Sequence, residues 1–119
     1  SGVCSLQNVV EADGGVYPCD FYVTDRYYLG NVNDNSFEEI YQKREELRFI
    51  EESLVPDEEC KTCEWRGLCG NGCKRYREPR REDGSFQRNF FCESYRQFFS
   101  YAYPRLRAAA MELSRRAPR

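Results

Sequence analysis

With 119 residues, 40% of them hydrophobic and 32% charged, the chain is long enough for one domain but can bury only a thin apolar core. The net charge of -2 hides a basic second half, in which residues 74 to 119 carry 12 basic against 5 acidic side chains. Those arginines are spread over a loop and helix faces rather than gathered in one block, which reads as a solvated or docking face and not as a nucleic-acid surface, and no run of about 18 apolar residues exists to span a membrane.

In chain order, Val9, Val10, Val16 and Tyr17 flank Ala12-Asp13-Gly14-Gly15, whose glycines supply the positive φ of a tight turn, so two short antiparallel strands are expected. Pro18 ends the second strand and delivers Cys19 and Asp20 to its tip, with Phe21, Tyr22 and Val23 continuing extended. Leu29 to Val32 reads as a turn and a brief extended segment, and Asn33-Asp34-Asn35 as a turn. Ser36 and Glu39 form a capping box, and Phe37, Ile40, Tyr41, Leu47 and Ile50 recur at helical spacing, so one helix is expected to about Glu51, with Pro56 closing it. Asp57, Glu58 and Glu59 read as solubilising charge. Cys60 to Cys73 is a glycine-rich loop in which Trp65 and Leu68 can shield a site from water, and Glu78 to Asn89 reads as an exposed charged loop.

From Cys92 a second helix is expected, with Tyr95, Phe98, Phe99, Ala102, Leu106, Ala109, Ala110 and Leu113 following the i, i+3, i+4 rule and Pro104 kinking or dividing it. An apolar stripe this long on a thin core implies packing against another part of a larger protein, ahead of homodimerisation. The fold class expected is a small, metal-dominated α+β domain: an N-terminal β-hairpin, a middle helix, Cys-rich cluster-binding loops and a C-terminal amphipathic helix. Residues 1–103 form the domain and residues 104–119 a basic helical tail.

The seven cysteines, Cys4, Cys19, Cys60, Cys63, Cys69, Cys73 and Cys92, occur with no histidine, so a tightly bound metal would be held almost wholly by thiolate. Three chemistries compete for them. Disulfides come in even numbers in small secreted domains, against an odd count here and a polar start with no signal peptide. Structural zinc takes four ligands, enough here for one site but not two, and Cys60, Cys63, Cys69 with Cys92 or Cys73 could hold it in a protein-docking module. Iron-sulfur clusters also bind thiolates, and seven cysteines plus one external ligand fit two of them.

Cys4-x9-Gly14-x4-Cys19, then Cys60-x2-Cys63-x5-Cys69-x3-Cys73 and Cys92, resembles the seven-cysteine signature of the SPASM domain, the auxiliary-cluster domain of radical-SAM enzymes that modify peptides and proteins. The match covers Cys4 to about Tyr103. Val16-Tyr17-Pro18-Cys19-Asp20-Phe21-Tyr22, Leu29-Gly30-Asn31, Leu68-Cys69-Gly70-Asn71-Gly72-Cys73-Lys74-Arg75, Phe90-Phe91-Cys92 and Phe98-Phe99-Ser100-Tyr101-Ala102 are similar to anaerobic sulfatase-maturating enzymes. Asn71 departs from that pattern, standing where relatives commonly carry glycine.

That resemblance implies two [4Fe-4S] clusters. One takes Cys4, Cys19, Cys73 and a cysteine upstream of the signature; the other takes Cys60, Cys63, Cys69 and Cys92. It also implies oxidation of a sulfatase cysteine or serine to formylglycine, with Asp20 at the position of the proton acceptor and the clusters receiving an electron. Zinc could replace iron-sulfur after aerobic preparation. Tyr22, Tyr27, Tyr28 and Arg75 are weaker candidates for substrate or interface contact. The Cys-x3-Cys-x2-Cys motif that binds the S-adenosylmethionine cluster is missing, because Tyr76 stands where a third cysteine would follow Cys69 and Cys73. The chain is therefore expected to work with a radical-SAM domain in a parent chain and a sulfatase polypeptide as substrate, and not to cleave S-adenosylmethionine alone. Thioether or carbon-carbon crosslinking by another SPASM enzyme is the nearest alternative. The thiols and the absent signal peptide suggest the cytoplasm.

Overall fold

A computed structural model describes residues 2–116; Ser1 and the last three residues of the basic tail, 117–119, lie outside the described residues. Strands β1 (Val9–Val10) and β2 (Gly15–Tyr17) form the expected hairpin, and β3 (Gly30–Asn31) adds to the other edge of β2, giving an antiparallel sheet in the order β1-β2-β3. Val9 pairs with Tyr17 and Val16 with Gly30, so Val16 is central and fully buried. The hairpin turn needs Gly14: its φ is +86°, and a Cβ there would lie 2.6 Å from Asn31 Oδ1.

Phe21 to Val23 does not continue extended. Residues Asp20–Tyr22 form a 3-10 turn in which the Tyr22 amide donates to the Cys19 carbonyl at 2.9 Å. The turn buries the Tyr22 ring, which meets Tyr27 and Phe49 edge-on at centroid distances of 4.9 and 5.1 Å. Burial of one large ring outweighs the strand preference of three β-prone residues.

The capping box is present: Ser36 Oγ accepts from the Glu39 amide, and Glu39 Oε2 accepts from the Ser36 amide at 2.7 Å. The helix it starts is shorter than its periodicity suggests. Helix α1 (Phe37–Leu47) stops at Arg48, which takes the left-handed conformation with φ 51°, and α2 (Phe49–Leu54) begins at once in a new direction. The break lets one stretch of sequence serve two apolar clusters. Leu47 packs against Val16, Leu29 and Ile40, whereas Phe49 and Ile50 join Tyr22 and Tyr27. A straight helix to Glu51 could not face both.

Helix α3 (Glu58–Lys61) is capped by Asp57, which accepts from the Glu59 amide at 3.0 Å. Asp57 is buried and paired with Arg81, so it is a structural anchor and not a solubilising charge. The segment 78–89 is correspondingly less loose than its composition suggests. Phe86 and Asn89 are buried, and the amides of Gln87 and Phe90 donate to the carbonyls of Arg77 and Tyr76 at 3.0 and 2.7 Å; the longest exposed run is Arg81 to Gly84.

After α4 (Arg66–Cys69), the long helix α5 runs over Cys92–Arg116, and Pro104 does not divide it. The Ser100 carbonyl, which loses its usual i+4 donor to the proline, belongs to an exposed residue, so water can take the donor's place. Trp65 packs on Phe99 and Tyr103 and ties the Cys-rich loop to this helix. Ala102 is buried too and Tyr95 half-buried, but Phe98 and the stripe from Leu106 onward are uncovered, with Phe98 56% and Leu113 69% exposed. Among the described residues no helix is long and apolar enough to cross a membrane.

Candidate metal centre

All seven cysteines are free thiols and all are partly buried. Each is delivered by a different local device. Cys4 lies in an irregular N-terminal segment pinned to α2, its amide donating to Ser53 Oγ at 2.9 Å while Ser53 Oγ donates to the Ile50 carbonyl at 2.6 Å. Cys19 follows the buried Pro18 at the end of β2, and both Cys4 and Cys19 pack against the Tyr22, Tyr27 and Phe49 rings. Cys60 belongs to α3, Cys63 lies in the link between α3 and α4, Cys69 ends α4 and Cys92 starts α5.

Between Cys69 and Cys73 the backbone is left-handed three times running, with φ of 56° at Gly70, 69° at Asn71 and 66° at Gly72. Asn is the non-glycine residue that tolerates this region best, so Asn71 keeps the loop conformation that glycine would give. Asn89 clamps the loop from outside, its Nδ2 donating to the Asn71 carbonyl at 3.1 Å. At Gly72 a Cβ would lie 2.4 Å from that same Nδ2. Gly72→Ala is therefore expected to destabilise the protein by about 1–2 kcal/mol through backbone strain, with a further loss as Asn89 is displaced. Urea denaturation under anaerobic conditions checks this, and a midpoint equal to that of the wild type would count against the clamp.

Cys4, Cys19, Cys69 and Cys73 line one cavity of about 520 Å³, with Asp20 and Lys74 also in its wall. The set Cys4, Cys19 and Cys73 is thus brought together, with Asp20 beside it, and Cys69 faces the same space. Cys60 lies within electrostatic reach of Cys92, Cys69 and Cys63, so the other four cysteines also form a neighbourhood. Burial pushes the Cys60 thiol up, and Asp57 and those three sulfurs add to it. Burial likewise raises Cys19, and the neighbouring Asp20 carboxylate, which accepts from Cys19 Sγ at 3.3 Å, raises it further. Metal binding must therefore displace protons from these sulfurs.

Among the described residues no three Cys, Asp or Glu side chains converge as they would around a single ion. Around zinc, thiolate sulfurs lie about 2.3 Å from one centre. Sulfurs spaced around a cavity suit a wider group that takes its ligands at its corners, such as an iron-sulfur cluster, which an all-thiolate donor set also fits.

The weaker sequence candidates fall elsewhere. Tyr22 and Tyr27 are buried, their hydroxyls donating to Glu78 Oε1 at 3.2 Å and Glu52 Oε2 at 3.1 Å. Tyr28 is partly exposed with its ring edge against Tyr17, and exposed Arg75 pairs with Glu78 at 2.7 Å. Three charged residues with larger structural roles escape the sequence reading: Glu52, Lys74 and Arg77. The one signal for the last two is their position in Lys74-Arg75-Tyr76-Arg77, directly after a candidate ligand.

A small sheet-and-helix scaffold whose thiols gather around a shared cavity defines a cluster-carrying module. Residues 4–64, half of the chain, match the SPASM family, described as an iron-sulfur cluster-binding domain, and the chain belongs to that family. It is 47% identical over 106 residues to the cysteine-type anaerobic sulfatase-maturating enzyme of Clostridium perfringens strain 13, covering 89% of this chain and 28% of the relative. Identity to the enzyme of the same name from Clostridium novyi strain NT is 41% over 116 residues, covering 98% of this chain and 31% of the relative. A solved structure of native anSMEcpe with bound AdoMet and Cp18Cys peptide superposes with a TM-score of 0.83 at 46% identity, covering 94% of this chain and 31% of that one. The chain thus spans less than a third of the length of the curated relatives it matches.

Proposed function

We propose that this chain is the auxiliary-cluster domain of a cysteine-type anaerobic sulfatase-maturating enzyme, in which it binds two [4Fe-4S] clusters and helps to oxidise a sulfatase cysteine to formylglycine. The observation that carries the reading is the cavity itself: Cys4, Cys19 and Cys73 share it with Asp20, in a chain 47% identical to an enzyme of that name. One cluster is assigned to Cys4, Cys19 and Cys73 with a ligand from outside this sequence, the other to Cys60, Cys63, Cys69 and Cys92. Residues 1–103 carry the clusters, and 104–119 form a basic tail.

The oxidation removes from the cysteine side chain a hydrogen atom, a proton and one electron, leaving a thioaldehyde that water then hydrolyses to formylglycine with release of hydrogen sulfide. When bound, the clusters supply an acceptor for that electron. Asp20 is the residue of this chain that takes the proton. Its carboxylate stands exposed in the cavity wall, where a bound peptide thiol can reach it. Once Cys19 gives up its proton to become a ligand, the Asp20 Oδ1 that accepted from it is free for the substrate. The uncovered face of α5, centred on Phe98, Leu106 and Leu113, fits the domain of the same enzyme that binds and cleaves S-adenosylmethionine.

Iron and acid-labile sulfide analysis of anaerobically purified protein tests the ligand split. Replacing Cys19 or Cys60 by serine is expected to remove about half of both elements, each from a different cluster with its own paramagnetic signal. Stoichiometric zinc without sulfide would overturn the reading and favour a structural zinc module.

A further inference from the structure

Arg77 is buried to 1% exposure, yet its guanidinium meets only neutral acceptors. Nη1 donates to the carbonyls of Ser53 at 3.1 Å and Val55 at 3.4 Å, and Nη2 to those of Gly2 at 2.8 Å and Gly72 at 3.1 Å. Nε has no partner among the described residues. The neighbouring cations are treated differently. Lys74 pairs with Glu52 at 2.9 Å, Arg80 with Glu52 at 2.8 Å, and Arg75 with Glu78 at 2.7 Å. Arg77 has no such carboxylate among the described residues.

Burying a charge is costly unless an opposite charge and hydrogen bonds answer it. The four carbonyls show where that charge lies. Gly2 stands two residues before Cys4, Gly72 immediately before Cys73, and Ser53 and Val55 at the end of α2, on the segment that leads to Cys60. Burial lowers the hold of Arg77 on its proton, and the charges that restore it are, first, those of Cys4 and Cys73, with Tyr22 and Cys60 following. The guanidinium is therefore held among segments that feed both proposed cluster sites.

We propose that Arg77 is a positioning residue whose fixed positive charge answers the thiolates of both clusters, and that it raises the reduction potential of each. The inference rests on the two-cluster reading above. A thiolate-ligated cluster is anionic and gains one more negative charge on reduction, so a fixed cation nearby stabilises the reduced form more than the oxidised one. Its four hydrogen bonds also tie the Cys4 and Cys73 segments to the end of α2, so charge and geometry act through one side chain.

The test is a redox titration of the anaerobically purified holoprotein followed by paramagnetic resonance, comparing the wild type with Arg77→Lys, Arg77→Gln and Arg77→Met. At a fixed poise, removing the charge is expected to lower the ratio of reduced to oxidised cluster about tenfold at both sites, a shift of about 59 mV for one electron. Arg77→Lys keeps the charge and is expected to keep both midpoints. Unchanged midpoints in a neutral variant with wild-type iron content would overturn the proposal, as would a lysine variant that shifts as far as the neutral ones. If neither neutral variant holds iron, the lysine variant decides: wild-type iron and midpoints support the charge, and loss of iron there too would show that only the fork geometry matters. Failure of the two-cluster reading looks different, because wild-type protein would then lack sulfide.

Discussion

Asp20→Asn in the full-length enzyme is expected to lower formylglycine formation by about 10²–10⁴-fold while leaving iron content and S-adenosylmethionine cleavage near wild type. Asparagine matches the shape of the side chain and can still contact Cys19, so the wall of the cavity should persist. What it cannot do is accept a proton. The prediction separates chemistry from architecture, since loss of product with intact cofactor cleavage is the signature of a missing base. The measurement is mass spectrometry of the substrate peptide alongside quantified deoxyadenosine. An unchanged peptide product would reject the role, and parallel loss of iron would reassign Asp20 to supporting the Cys19 segment.

The second large effect is expected from Glu52→Gln. The Glu52 carboxylate accepts from Lys74 Nζ at 2.9 Å and Tyr27 OH at 3.1 Å, and pairs with Arg80 at 2.8 Å. Lys74 is itself fully buried, with its ammonium 3.6 Å from the centre of the Phe49 ring and about 5 Å from those of Tyr22 and Tyr27. The rings and the Phe49 carbonyl solvate this charge only in part; Glu52 neutralises it. Removing one partner of such a pair costs about 3–5 kcal/mol, because the other charge is left buried and unanswered. Equilibrium denaturation of anaerobic protein measures the loss, and a cost below about 1 kcal/mol would mean that the rings and carbonyl suffice.

The same carboxylate gives a pH dependence of known sign. Burial pushes Glu52 up, but the hydrogen bonds from Arg80 and Lys74, and their charges, outweigh it and hold it below the usual carboxylate range. A folded value below the unfolded one means that its stabilisation is present above the ordinary glutamate range and is lost as the pH falls through the folded value. Wild type should therefore lose stability on acidification more steeply than Glu52→Gln, and the two curves should converge at low pH.

The cysteine spacing carried most of the proposed site in the sequence, because residue type and local turns are chain-local properties, and the fold brings Cys4, Cys19 and Cys73 to one cavity. Asp13-Gly14-Gly15 and Ser36-x2-Glu39 were legible for the same reason: each motif satisfies its own backbone. What stayed hidden depends on partners distant in sequence. The break at Arg48 has no sequence signature, since good helix formers stand on both sides and only the positions of two separate apolar clusters demand it. Residues 78–89 look solvated by composition, yet Arg81 pairs with buried Asp57, Asn89 bonds the Asn71 carbonyl and Phe86 lies under the buried Lys74 ammonium, each partner a dozen or more residues away. The burial of Lys74 and Arg77 was invisible because a basic run after Cys73 reads as surface until the fold places Glu52 and four carbonyls around it.

The packing of Cys4 and Cys19 against Tyr22, Tyr27 and Phe49 makes the proposed ligand shell and the aromatic core a single cooperative unit. Thermodynamic linkage then runs both ways: whatever loosens the rings weakens the grip on the cofactor, and oxidative loss of the cofactor loosens the rings. Exposure to air should thus register as faster proteolysis between β2 and α2 as well as bleaching, and a variant weakened only in that core should bleach sooner without any change to a ligand.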